Sequence, residues 1–244
     1  MGLEFNSLME VDRTLPHAEL DGVDIDARLT RYREQAVVNY ITTKHPLADE
    51  GTYYNINSAQ TGLATAAAPT AFSATNPFLT IYNNASPSDD FAKKLYFDYL
   101  TLLVTATGTL GTSVQFAIVA DRGNRYSSGG TQLLPVGVNQ SVSLNSGAKF
   151  FAGNITATTP TNGARFLVGN RFMKGAIPVV GDQYSVRFGT TDVTDQILSS
   201  VITFSTNNAG PVMIGPDETL LVYIWLPAQA AASSYAPEMG YWER

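Results

Sequence analysis

At 244 residues the chain suits one domain of ordinary to large size, 44% apolar and only 15% charged, against a usual charged share of about 25%. A net charge of −6, with no basic run longer than Lys93-Lys94, argues against a surface built to neutralise phosphates. The absence of cysteine removes disulfides, thiolate nucleophiles and cysteine-based zinc sites.

Of the 36 charged residues (15 basic plus 21 acidic), 15 fall in the first 50 positions, so residues 1–50 read as a separate N-terminal arm. Residues 1–10 have neither a basic n-region nor an apolar h-region, and no secretory signal is expected. No window approaches the roughly 18 uninterrupted apolar residues that span a bilayer. The expected product is a soluble protein made in the cytoplasm. After an irregular stretch containing Pro16, Asp24-Ile25-Asp26 offers an N-cap, and Ala27, Leu29, Tyr32, Ala36, Val37, Tyr40 and Ile41 recur at helical spacing. The pattern predicts one amphipathic helix there, closed by Pro46 and Gly51.

Residues 51–77 are expected as an extended linker, small and polar from position 58 onward, with two prolines and no period. From Phe78 the period becomes two, and residues 78–227 read as the β domain. In residues 113–120, Val114, Phe116, Ile118 and Ala120 share one face while Ser113 and Gln115 take the other. Tyr184, Val186 and Phe188 against Ser185 and Arg187 repeat that pattern. Further strand runs are 78–83, 95–106, 148–151, 164–168, 197–205, 211–214 and 219–226. Turn signals separate them at 108–111, 127–130, 162–163 and 215–217. So many strands, with no helical pattern after Phe91, predict an all-β antiparallel sandwich. A jelly roll suits the long, uneven connections; an immunoglobulin-like sandwich is the rival and would space its strands more evenly.

Two runs fail to alternate. In residues 219–226 the face Leu220, Val222, Ile224, Leu226 is apolar, and so is the face Leu221, Tyr223, Trp225. In residues 95–106, Phe97, Tyr99 and Leu103 oppose Leu100, Leu102 and Val104. A two-sheet sandwich buries one face per strand, so the second face is expected to meet the arm, a loop or another subunit. Residues 228–244 read as an extended C-terminal tail whose Tyr235, Tyr241 and Trp242 either grip a neighbour or fray. The candidate interface residues are therefore Leu29, Tyr32, Val37 and Tyr40 in the arm, Leu221, Tyr223 and Trp225 in the last strand, and Tyr235, Tyr241 and Trp242 in the tail.

Chemistry is sparse. His17 and His45 are the only histidines, and no G-x-S-x-G turn accompanies them. Asp21, Asp24 and Asp26 lack the glycine and bidentate glutamate of a calcium loop. Gly108, Gly111, Gly129 and Gly130 read as turns, without the Lys-Ser/Thr ending of a phosphate loop. Asp98, Asp121, Asp182, Asp192 and Asp195 leave a sugar-cleaving carboxylate pair open without marking one. Tyr82, Tyr126 and Trp225 are read as packing aromatics, with a carbohydrate platform as the other reading. Arg122 and Arg125 are either solvated or grip a neighbouring carboxylate. No enzyme activity, cofactor or metal is expected.

The arm, the small-residue linker 58–77, the Thr/Ser/Gly-rich strands and the run Pro211-Val212-Met213-Ile214-Gly215-Pro216-Asp217-Glu218-Thr219-Leu220 together resemble structural virion proteins of tailed bacteriophages, in particular jelly-roll capsid cement or decoration proteins. The resemblance implies a homo-oligomer, often a trimer, located in the virion and bridging major capsid or other virion proteins through arm and tail contacts. It implies no cofactor, no nucleic acid and no membrane. The alternatives are a receptor- or glycan-binding fibre head, and a glycan-cleaving enzyme with two oriented carboxylates in a concave pocket.

Overall fold

The structure is a computed structural model that describes residues 44–67, 69–88, 92–109, 111–141, 145–160, 165–189, 196–198 and 203–244. The expected helix at 27–41, with Leu29, Tyr32, Val37 and Tyr40, lies outside the described residues, as do His17, Asp21, Asp24, Asp26, Asp192 and Asp195.

One helix, α1 (Lys44–Asp49), opens the described chain. Pro46 does not stop it but sits in its first turn, where a missing N–H costs nothing. Gly51, at φ 73°, does stop it: its amide and that of Thr52 bond back to the carbonyls of Ala48 and Leu47, closing a Schellman cap. The strands in chain order are β1 (Tyr53–Asn57), β2 (Leu63–Ala64), β3 (Leu79–Asn83), β4 (Leu95–Ala106), β5 (Val114–Arg122), β6 (Tyr126–Leu133), β7 (Val136–Gly137) and β8 (Ala148–Ala157). There follow β9 (Arg165–Lys174), β10 (Gln183–Phe188), β11 (Gln196–Leu198), β12 (Thr203–Ala209), β13 (Met213–Ile214), β14 (Glu218–Trp225) and β15 (Ser234–Glu243).

These strands form two packed sheets. The larger runs β11-β12-β10-β4-β15-β1-β7, and the smaller runs β6-β8-β3-β14-β5-β9. Within them lie the consecutive quartets β10-β4-β15-β1 and β3-β14-β5-β9, the second ending at the sheet edge with β9. In chain order the eight strands β1, β3, β4, β5, β9, β10, β14 and β15 change sheet at every step except β5 to β9. That is the double Greek key of a jelly roll. The β6–β8 excursion extends the smaller sheet beyond β3, and β12, parallel to β10, extends the larger one. Between the sheets lies one core, with Tyr54, Phe97, Leu100, Leu102, Tyr184, Tyr235 and Tyr241 from the larger sheet. Ile81, Phe116, Ile118, Phe150, Leu220 and Val222 come from the smaller.

Both failures of alternation have a cause inside the chain. On β4, Gly240 pairs with Tyr99 and Tyr241 with Phe97, so Asp98 is an extra, bulged residue. A bulge inverts the side-chain parity beyond it, which lets Leu95 and Phe97 enter the same core as Leu100, Leu102 and Val104. The strand therefore has one apolar face, not two. On β14 the second face is real, and the chain covers it itself. Leu221, Tyr223 and Trp225 form a second cluster with Ala117, Val119 and Ala157, and Phe72 packs on it. The Phe72 ring lies 4.7 Å from Tyr223 and 6.0 Å from Trp225.

Three expected boundaries move. Tyr53–Asn57, expected as linker, is a strand of the larger sheet with Tyr54 and Ile56 in the core. The expected tail is β15, paired along its length with β4 and also with β1. Its odd-numbered apolar residues enter the sheet interior, so it belongs to the β domain. The expected turn at 127–130 lies inside β6, where Gly129 and Gly130 adopt positive φ at a bulge against β8. A side chain at Gly129 would run into the Asn154 carbonyl, so glycine here serves close strand approach rather than reversal.

Candidate functional site

The candidate interface residues of the last strand and tail face their own protein. Leu221, Tyr223, Trp225, Tyr235 and Tyr241 are all buried. Trp242 is half-buried and stacked on Tyr96 with its ring 5.6 Å away. Tyr126 likewise stacks on Phe151 at 3.8 Å and donates to the Gly129 carbonyl. Trp225, being buried, forms no open platform. Arg125 is buried and internal: it pairs with Asp121 and donates to the carbonyls of Thr158 and Ala74. The Tyr223 hydroxyl reaches the same Ala74 carbonyl at 2.9 Å, so both residues pin the segment carrying Phe72.

Exposed apolar side chains are scattered, with Leu134, Val136, Val138, Phe166, Leu167 and Met213 among them, but some lie on segments that meet at one corner, where the Ser205 hydroxyl donates to the Met173 carbonyl. Phe172 on β9 is 59% exposed, Ile177 and Val180 in the following loop are 59% and 55%, and Phe204 on β12 is 46%. Sequence periodicity missed this corner, because its residues come from three segments and share no register.

A single carboxylate holds the corner in shape. Asp182 is fully buried and takes bonds on Oδ2 from Lys174 Nζ at 2.7 Å, the Val179 amide at 2.7 Å and the Tyr184 hydroxyl at 2.9 Å. Its Oδ1 accepts the Thr203 amide at 2.7 Å. Burial alone would raise the Asp182 pKa, but Lys174, the two amides and the Tyr184 hydroxyl outweigh it and hold the carboxyl below its usual value. One side chain thus ties the end of β9, the loop, the start of β10 and the start of β12.

On the outer face of the larger sheet, two contiguous shallow pockets of about 540 and 430 Å3 share Thr101 and Gln183. One also holds Asp98, Tyr99, Ser185 and Arg187; the other holds Ser58, Leu103, Pro237 and Glu238. The Tyr53 hydroxyl donates to Asp98 at 2.8 Å, and the Tyr99 hydroxyl donates to Glu238 at 2.8 Å. Burial, and then the carboxylate each one faces, pushes both phenols well above the usual 10.0, so they remain donors. The Tyr99 ring lies over Gly240, where a Cβ would stand under 3.0 Å from it. Of the carboxylates singled out in the sequence that are among the described residues, Asp98 alone lines this groove, while its neighbour Glu238 lies in the segment expected as tail. The bulge that turns Asp98 to the outer face shows in the sequence only as the break of alternation in residues 95–106.

No family model matches the chain, and neither a curated protein nor a solved structure matches it. Among the described residues no group of three or more His, Asp or Glu is placed to hold a metal, and no helix is long and apolar enough to cross a membrane.

Proposed function

We propose that this chain is a non-enzymatic structural protein of a virus particle, a cement or decoration protein that stabilises the shell through contacts with copies of itself and with other virion proteins. The observation that carries the reading is the apolar corner formed by Phe172, Ile177, Val180 and Phe204. Large exposed apolar side chains on neighbouring segments of a folded domain support a protein contact. The Asp182 ties lower the ordering cost of such a contact, because the loop arrives already shaped.

The magnitude suits many weak contacts. Full burial of one large apolar side chain is worth about 1.5 to 3 kcal/mol, and roughly half of each of these four is still exposed, so covering the corner contributes about 3 to 6 kcal/mol. A micromolar complex needs about 8 kcal/mol. Further contacts, from the arm or from repeated copies, make up the difference in a lattice through avidity.

Light scattering on the purified chain tests the proposal. A mass above the 26.3 kDa of one chain is expected, falling toward it in Phe172→Asp and Ile177→Asp. Removing residues 1–43 rather than 1–50 spares α1 and its buried Leu47, and should leave a folded domain with weakened assembly. A wild-type monomer at high concentration that also fails to sediment with shells would overturn the reading.

A further inference from the structure

An apolar band crosses the larger sheet near the entry of the described chain. Met213 on β13 pairs with Tyr96 on β4, Tyr96 with Trp242 on β15, and Trp242 with Tyr53 on β1. The row continues to Val138, just past β7, whose amide donates to the Tyr53 carbonyl at 3.2 Å. We infer that this band is the docking site of the chain's own residues 27–41, laid over it as an amphipathic helix.

Strand parity places the row on the outer face. Val212 and Ile214 flank Met213, Leu95 and Phe97 flank Tyr96, and Tyr241 and Tyr54 adjoin Trp242 and Tyr53; all six enter the core. Successive side chains of a strand point to opposite faces, so the row points away from that core, and Val138 shares the face of its partner Tyr53. Met213 and Val138 are exposed, and the three aromatics are half-buried. The band is also fixed in shape. The Tyr96 and Trp242 rings stack 5.6 Å apart and within 3° of parallel, and the Tyr53 hydroxyl donates to Asp98 at 2.8 Å.

Chain continuity names the occupant. α1 stands at the β7 end of the band: its Asp49 carbonyl accepts the Asn139 side-chain amide at 2.9 Å, and Thr52, which closes its cap, runs directly into Tyr53. Only residues 42 and 43 separate α1 from residues 27–41, a reach of roughly 10 Å. Leu29, Tyr32, Ala36, Val37 and Tyr40 recur there at helical spacing and make one apolar stripe. A helix this short is marginal alone in water, so its stripe needs a surface. The sizes agree, because such a helix is about 22 Å long and the four gaps between the five residues of the band span about 19 Å.

Other occupants fit worse. The arm of another copy would compete with a segment tethered two residues away, whose effective concentration is on the order of millimolar. The apolar corner with Phe204 lies across the sheet, since β12 is toward the edge opposite β7, so a helix tethered at α1 leaves that corner to a partner. Residues 1–26 remain beyond the helix for the neighbour contacts proposed above.

Acrylamide quenching of Trp242 in the full chain tests the docking, with Trp242→Phe supplying the share of buried Trp225. Trp242 should be shielded in the wild type, and Leu29→Asp combined with Val37→Asp should at least double its quenching constant. Arg31→Asp, on the opposite side of the helix, should leave the shielding unchanged. Equal accessibility in the wild type and the double variant would overturn the inference, and so would equal loss of shielding in Arg31→Asp. Shielding that disappears over about a hundredfold dilution would overturn it too, because a neighbour's arm would then be the cover. The readout is separate from the light-scattering mass, so this inference and the assembly proposal can fail independently.

Discussion

Replacing Asp182 by Asn keeps the size of the side chain and removes its charge. Asp182 is fully buried, and the replacement leaves Lys174, itself 7% exposed, as an uncompensated buried cation. Breaking a buried pair from one side costs about 3 to 5 kcal/mol. The amide oxygen still accepts some of the four bonds, but the amide nitrogen faces only donors on its own side. For a domain of this size each kcal/mol lowers the melting point by about 2 to 4 °C, so a fall of roughly 6 to 20 °C is expected. Urea and thermal unfolding followed by circular dichroism measure it. Asp182→Asn combined with Lys174→Met should lose less than the sum of the single changes, because the orphaned charge is gone. The pH dependence supplies a second check. The folded-state pKa of Asp182 is held below the usual 3.8, so its contribution is complete above that value and is lost as pH falls through the folded pKa. Wild-type protein should therefore lose stability in that acid range, and the Asn variant should lack that part of the loss. A single variant within about 1 kcal/mol of wild type at neutral pH would refute the role assigned to this hub.

Two further expectations follow from the packing. Phe72→Ala strips the cover from Tyr223 and Trp225; since Phe72 is itself half-buried, a loss of about 1 to 3 kcal/mol is expected, with Trp225 fluorescence shifting to the red in a Trp242→Phe background. Glu243 is 2% exposed, and burial raises its pKa against the bonds from Ser146 and Gly147 and the charge of Lys93. A carboxyl whose folded pKa is raised adds stability below its unfolded pKa and loses it as pH rises through the folded one, so Glu243→Gln should be more stable than wild type at neutral pH in urea melts, and the gap should close in acid.

How far the sequence could be read depended on whether a residue's environment is set by its own strand. On β5, Val114, Phe116 and Ile118 alternate and all three enter the core, as the period-two pattern predicts. The last strand's two apolar faces were equally visible, and both are buried. What covers the second face was not visible, because Phe72 lies about 150 residues earlier in the chain in a segment without any period. Tyr235 and Tyr241 misled for the opposite reason: an aromatic stretch at a chain end has the same pattern whether it grips a neighbour or completes its own sheet.

Composition, the absence of cysteine and the period of two were enough, before any coordinates, to define an all-β sandwich stabilised by packing. Local chemistry dictates alternation, turns and caps, and these are written residue by residue. Only the tertiary structure decided that β15 closes the larger sheet between β4 and β1, and that one bulge at Asp98 turns a carboxylate outward beside Glu238. It also decided that Asp182 binds four separate segments. The strand pairing and the bulge join residues far apart in the chain, and the Asp182 hub adds to its near neighbours Thr203, 21 residues on. The free energy of such a contact resides in the pairing, which neither partner's local sequence encodes.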